Sequence, residues 1–352
     1  LYYEVLWSIS FGNTGWIGHR NGVAERTGKH KIAYVGRPDT GGPAVGVSGC
    51  WEIVLSQVET GTITVSLPPQ SMWRVAWRRL RRSRLALVCL GIIGLYVAVA
   101  LAVAAGWLAA DWREPVGPRY EPPSWEYPLG TDIFGQSVLR KTLYGAKTSL
   151  TVAALASVIS IAIGVPLGAI AGYFGRRIDE LIVWLYSTLE SIPGILLILA
   201  FAFVLRDRVS GLSAVYLAIG LTSWVGLCRL IRGEVIKHKE RDYVTAAKAF
   251  GGTDFYVIFR HILPNVFHLV IIDFSLRFVS FIHVEVILSF LGLGAKETPS
   301  WGVMIDDARL ELAQGVWWQL AAATAAIFFI SLALNILGDD LRDALDPKLR
   351  GR

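Results

Sequence analysis

From residue 85 onward the sequence is a succession of long apolar runs parted by short polar segments, and nothing else in it limits the fold as severely. The runs cover residues 85–110, 149–174, 181–205, 212–231, 266–291 and 320–337. An α-helix needs about 20 residues to cross the hydrocarbon core of a bilayer. In that core each backbone N–H and C=O must find its partner within the protein, which helices achieve segment by segment. The expectation is an all-α, polytopic membrane protein with six transmembrane helices. Composition agrees, since 18% of the chain is charged and 53% hydrophobic, where soluble domains are nearer a quarter charged.

Charge sets the orientation. Arg74, Arg78, Arg79, Arg81, Arg82 and Arg84 precede the first run, and clustered basic residues keep their end of a span in the cytoplasm. At that position anionic lipid is the expected neighbour, not nucleic acid. Six crossings then place the N-terminus and the C-terminus of the membrane domain both in the cytoplasm, with residues 111–147, 206–210 and 306–316 outside. In the second run Gly164, Gly168 and Gly172 recur every four residues, beside Pro166. They share one helix face and invite close helix–helix packing. Trp317 and Trp318 stand where an interfacial anchor is expected.

Residues 1–71 differ in kind. They are rich in glycine and polar residues, with no long apolar run and no basic segment leading into one, so they do not read as a secretory signal. The chain starts on Leu1, and Met72 stands just before the coherent part. Two readings are open: an irregular cytoplasmic extension, or upstream sequence from a misassigned start, the second being preferred. The division is therefore 1–71 and 72–352.

One polar interruption has internal order. Residues 240–265 read E-R-D-Y-V-T-A-A-K-A-F-G-G-T-D-F-Y-V-I-F-R-H-I-L-P-N. Asp242 to Phe250 suits a helix, with Ala246, Ala247 and Ala249 among good helix formers. Gly251 and Gly252 stop it, because glycine enters the left-handed region without strain. Thr253 and Asp254 would cap a second short helix over 255–262, closed near Pro264. Small residues let another protein approach the backbone, with Tyr243 and Phe250 as aromatic anchors.

This stretch resembles the cytoplasmic coupling loop of ABC importer permeases, the E-A-A-x3-G-x9-I-x-L-P motif. Here it stands as Thr245-Ala246-Ala247, Gly251 and His261-Ile262-Leu263-Pro264. Thr245 replaces the motif's glutamate and His261 its isoleucine. The H-I-L-P-N wording resembles the dipeptide/oligopeptide/nickel branch. So do Pro128-Leu129-Gly130-Thr131-Asp132 with Leu143-Tyr144-Gly145-Ala146, Leu288 to Gly294, Pro299 to Met304, and the tail from Asn335 to Pro347. Gln136 and Ser137 depart from that branch's Arg-Asp.

The resemblance implies a type I, binding-protein-dependent importer in the prokaryotic cytoplasmic (inner) membrane. Its partners would be a second permease subunit in a heterodimer, two ABC ATPase subunits inside and an extracytoplasmic substrate-binding protein outside. Peptides are the expected substrate; nickel or another small solute is the alternative within the family. ATP would be hydrolysed by the partner subunits, with no cofactor bound by this chain. The sequence has no G-x-x-x-x-G-K-[ST], H-E-x-x-H or G-x-S-x-G, so an enzyme is not expected.

Glu190, Asp273, Arg277, His283 and Glu285 lie inside apolar runs, where ionised groups are costly and face protein or water. Asp273 and Arg277, four apart on a helix, are expected to neutralise each other. Glu190 has no evident partner, and a bond between helices is preferred to a pathway role. Glu285 matches an acidic position ahead of the L-S-F-L-G-L-G wording. His283 and Glu285 diverge on a helix and make no metal site. Cys50, Cys89 and Cys228 show neither metal nor disulfide spacing. The rival from another class is a stand-alone secondary transporter coupled through these charges. It calls for inverted repeats with broken helices, which the sequence does not display, and it leaves the polar loop without a purpose.

Overall fold

The computed structural model describes residues 81, 83–209, 211–294 and 297–345. The 1–71 segment, Cys50, most of the leading arginine cluster and the last residues of the tail lie outside them. The described residues are helical and hold no strand, only isolated bridges pairing Pro115 with Gln136 and Thr131 with Ser137. In chain order the helices are α1 (Arg84–Ala104), α2 (Val138–Phe174), α3 (Arg176–Glu190), α4 (Gly194–Arg206), α5 (Gly211–Thr222) and α6 (Val225–His238). There follow α7 (Asp242–Ala249), the single turn α8 (Asp254–Tyr256), a π-helical turn (Val257–Ile262), α9 (Leu263–Phe290), α10 (Trp301–Leu312) and α11 (Trp318–Leu345).

Among the described residues four segments can cross a membrane by length and apolarity: Arg84–Ala104, Val138–Phe174, Gly211–His238 and Trp318–Ala344, with α3 and α4 together as a fifth. The sixth expected crossing coincides with α9. Its 28 residues are long enough at about 1.5 Å each, but Asp273, Arg277 and Glu285 interrupt its apolar character.

Several boundaries differ from the sequence expectation. The second helix starts at Val138, eleven residues before the apolar run, because Ser137 caps it by accepting a bond from the N–H of Arg140. The third run is no straight span: α3 and α4 meet at 90° across residues 191–193. Pro193 has no N–H to continue the first helix, and its extended backbone (ψ 124°) turns the chain into the second. The fourth run breaks at Ser223–Trp224 and continues to His238. Residues expected as an outside loop form α10 behind the Ser300 cap, and the last helix runs on to Leu345.

Long α2 is the central element, flanked by α1, α5, α6 and α9. Its glycine face meets α6 as the spacing predicts. A Cβ built on Gly164 would lie 2.8 Å from the Trp224 carbonyl oxygen, one on Gly172 2.7 Å from that of Arg232, and one on Gly168 would collide with that of Cys228. Only glycine permits this approach. Residues 111–137 cap the end of the bundle away from the 240–265 loop. There Gly130 turns with φ +74°, Thr131 and Asp132 are buried, and Trp318 Nε1 donates to the Thr131 carbonyl at 2.9 Å. Buried Asp132 pairs with Lys141 and accepts the N–H groups of Phe134 and Gln136, each at 2.8 Å. The P-L-G-T-D wording is thus a structural device. Gln136, in place of a charge, donates through Nε2 to the Arg113 carbonyl at 2.9 Å.

Candidate functional site

The 240–265 loop is built on a local apolar core. Val244 of α7, Val257, Ile258 and Ile262 of the π turn, and Val266 and Val270 of α9 pack with Ala169 and Tyr173 of α2 and Leu227, Ile231 and Val235 of α6. After α7, the Gly252 N–H donates to the Ala247 carbonyl (3.0 Å) and the Gly251 N–H to that of Lys248 (2.9 Å). With Gly251 at φ +84°, this is the paired-bond glycine stop read from the sequence. Thr253 then accepts the N–H of Tyr256 through its hydroxyl.

The second half of the loop is not the separate short helix expected. Residues 254–262 run without a stop through the π turn into α9, and Pro264 lies in the first turn of α9 instead of ending a helix. Proline tolerates that position because it has no N–H to leave unsatisfied. The wider π register just ahead of it keeps the chain helical where a proline ring would crowd a regular turn. Loop and span therefore form one continuous helical body.

Exposure divides the candidate residues. Asp242, Thr245, Ala246, Ala249 and Phe250 are exposed on α7 and its end, Phe250 at 91%. Ala247 and Tyr243, expected on the outward face, are half-buried against the local core. They share a helix side with sealed Val244, one turn being three to four residues. The Tyr243 hydroxyl lies 2.7 Å from His238 Nδ1, and burial pushes its phenol pKa up. Tyr243 thus anchors the loop to its own chain. His261 is half-buried with its ring edge-on to Tyr256 at 5.2 Å, Leu263 packs on the core, and Pro264 is exposed. Sequence reading missed Phe255, Tyr256 and Phe259, each more than half exposed; their signal was a cluster of aromatics in a polar loop. A second tie joins loop to bundle. The Tyr173 hydroxyl of α2 donates to Asp254 Oδ1 at 2.6 Å, and the Lys248 ammonium sits 4.8 Å from the same ring.

The intramembrane charges fall into two groups. Glu285 is sealed between helices, accepting from Ser149 Oγ of α2 at 3.0 Å and Ser289 Oγ at 2.8 Å; a packed hydrogen-bond role suits it. His283 Nε2 lies 3.2 Å from Ser331 Oγ, away from Glu285's partners. Asp273 and Arg277 pair as their spacing predicts, Nε donating to Oδ2 at 2.6 Å, and Arg277 Nη1 also donates to the Ser223 carbonyl at 3.3 Å. That carbonyl is freed by the break between α5 and α6. Glu190 has a partner after all, Arg229 of α6, whose guanidinium also lies 5.3 Å from the Tyr186 ring. Below this pair Arg232 makes a two-pronged bond to Asp179, at 2.5 and 2.7 Å. Glu190 and Arg277 line one cavity of about 410 Å³, while Asp273 and Glu285 do not. Among the described residues no three His, Cys, Asp or Glu side chains gather as a metal site.

Comparisons with known proteins fit this arrangement. Residues 164–351 match the family described as the binding-protein-dependent transport system inner membrane component, and residues 71–123 the N-terminal TM domain of oligopeptide transport permease C. The chain is 36% identical over 306 residues to the dipeptide transport system permease protein DppC of Bacillus subtilis (strain 168), covering 85% of this chain and 93% of that protein. It is 32% identical over 298 residues to the oligopeptide transport system permease protein OppC of the same organism, covering 81% and 93%. The glutathione transport system permease protein GsiD of Pectobacterium atrosepticum is 34% identical over 290 residues, covering 79% and 92%. A solved chain of the MetNI methionine ABC transporter aligns at a TM-score of 0.48 and 14% identity, over 58% of this chain and 96% of that one. With a family model matching more than half of its length and relatives above 30% identity along nearly their whole length, the chain belongs to the inner membrane components of binding-protein-dependent transport systems, as a multi-pass permease of the type I ABC importer fold and not an enzyme.

Proposed function

We propose that this chain is the permease subunit of an ATP-driven peptide importer, forming part of the translocation path and coupling it to separate ATPase subunits. Domain 72–352 carries the function, with six crossings when α3–α4 counts as one and α9 as another, and with both ends cytoplasmic. A second permease completes the path as a heterodimer in the prokaryotic cytoplasmic membrane, two ABC ATPases dock inside, and a binding protein delivers substrate outside. The relatives' names support peptides as cargo.

The observation that carries the reading is the loop's construction. An exposed face of Thr245, Ala246, Ala249 and Phe250 stands on a body fused to α9 and tied to α2 through Tyr173 and Asp254. A partner gripping that face moves two membrane helices at once. ATP binding draws the ATPase pair together, and the motion does work only if the closed pair favours one state of the spans over the other. Hydrolysis then resets them.

Ala246→Arg tests this. It adds bulk and charge to the docking face and touches no span. In proteoliposomes with the partner subunits, it should abolish ATP-driven dipeptide uptake while the chain inserts at normal level. Undiminished uptake would remove the assignment.

A further inference from the structure

Two interruptions of regular helix, the 90° bend between α3 and α4 and the break between α5 and α6 at Ser223–Trp224, meet the charged stretch of continuous α9 at the 410 Å³ cavity. Its walls are largely apolar, with Leu189, Ile198 and Phe281 among them, and Arg277 stands as the cation in the lining. The guanidinium is positioned from three sides. Asp273 takes Nε, the Ser223 carbonyl accepts from Nη1 at a long 3.3 Å, and Nη2 lies over Gly226, where any Cβ would strike it. A guanidinium has five N–H donors. Two are engaged here, and Nη2 has no acceptor among the described residues. Arg277 lines the cavity with its side chain 31% exposed, so it presents donors to spare there.

A second feature favours an anion in the same cavity. The 13-residue α4 begins at Gly194 on the cavity wall, with no side chain capping its first N–H groups and nothing within 4 Å of where a Gly194 Cβ would stand. Helix starts attract negative charge. Guanidinium and carboxylate pair best through two parallel bonds, and three of the five Arg277 donors are not engaged by Asp273 or Ser223. Glu190, also in the lining, is held by Arg229, so the acidic group nearest in the wall is neutralised.

We propose that this cavity is a station on the translocation path for the free carboxylate of the passing solute, held by the unengaged guanidinium donors of Arg277, with the start of α4 in the same wall. The proposal rests on the peptide-permease reading, in which that group is the peptide C-terminus, with the apolar walls receiving side chains. Gly226 is the positioning residue, since a Cβ there would strike the guanidinium.

The test uses the assembled transporter in proteoliposomes, with Cys50, Cys89 and Cys228 replaced by serine and a single reporter, Ser280→Cys, in the exposed part of the lining. The probes are the dipeptide Ala-Phe and its C-terminal amide. Ala-Phe should slow maleimide labelling of the reporter severalfold, and the amide should not. Arg277→Gln should abolish the protection. Gly226→Ala, which keeps the charge but displaces it, should weaken it, and serves where the Gln variant fails to assemble. Equal protection by dipeptide and amide, or protection that survives both substitutions, overturns the site. Uptake is read in parallel: protection by Ala-Phe without its transport refutes the peptide reading and keeps the station, while transport without protection does the reverse.

Discussion

Replacing Gly168 by alanine tests the close seam between α2 and α6. A Cβ at that position collides with the Cys228 carbonyl oxygen and lies 3.1 Å from Ile231 Cβ and 3.2 Å from the Arg232 nitrogen. All three obstacles are backbone or Cβ atoms, so no change of rotamer relieves them and the helices must part. Forced overpacking of this kind costs about 1–3 kcal/mol. Alanine in a helix interior also gains about 1 kcal/mol over glycine. The control is Gly233→Ala on α6, where nothing lies within 4 Å of the added methyl, so that only the gain remains. The difference between the two variants cancels the propensity gain and should be about 1–3 kcal/mol. At roughly 2–4 °C per kcal/mol for a large domain, Gly168→Ala should melt several degrees below Gly233→Ala. Tryptophan fluorescence of the purified chain during heating reads this, with Gly164→Ala and Gly172→Ala falling between. If Gly168→Ala melts with Gly233→Ala or above it, the seam is not as tight as the backbone approach requires.

Tyr173→Phe removes the donor of the 2.6 Å bond to Asp254 and keeps the ring under Lys248. A bond to a charged group contributes about 1.5–3 kcal/mol, so trypsin should cut faster at exposed Lys248 and Arg260; unchanged cleavage would show that the tie does not hold the loop. Gly251→Val places a branched side chain at φ +84°, a strain of about 1–3 kcal/mol, and should reduce uptake at equal membrane level far more than Gly251→Asn. Equal uptake by the two variants would contradict the left-handed stop. Burial pushes the Glu311 carboxyl above its ordinary range, partly offset by the Ile133 N–H it accepts. A carboxyl raised on folding contributes stability that is full below about pH 4.5 and is lost as pH rises through the raised value. Glu311→Gln, which keeps the acceptor, should flatten that dependence in thermal melts; an unchanged slope would refute it.

Features carried by local spacing were legible in the sequence. Gly164, Gly168 and Gly172 announce their face because four residues is close to one helical turn, and Gly251-Gly252 announce the stop. Asp273 and Arg277 pair for the same reason. The inward side of α7 was also legible, since Tyr243, Val244 and Ala247 form an apolar stripe at helical spacing, yet the motif wording drew attention to Ala247 as a docking residue. Partners far apart in sequence were not legible: Arg229 is 39 residues from Glu190, and Ser223 is 54 from Arg277. Nor was the Ser223–Trp224 break, where neither glycine nor proline marks the interruption. Pro264 misled because a proline reads alike after a helix and in its first turn, and only the π register ahead of it decides between them.

The most direct measurement is a crosslinking scan of the loop against the ATPase subunit. Single cysteines at Ala246, Ala249 and Phe250, all exposed, should crosslink to that subunit in assembled transporter, and the yield should change when ATP is bound. Cysteine at Val244, which is fully buried, should not crosslink in either state. Crosslinks from Val244 with none from Ala246, Ala249 or Phe250 would contradict the docking face and, with it, the route by which ATP moves the spans.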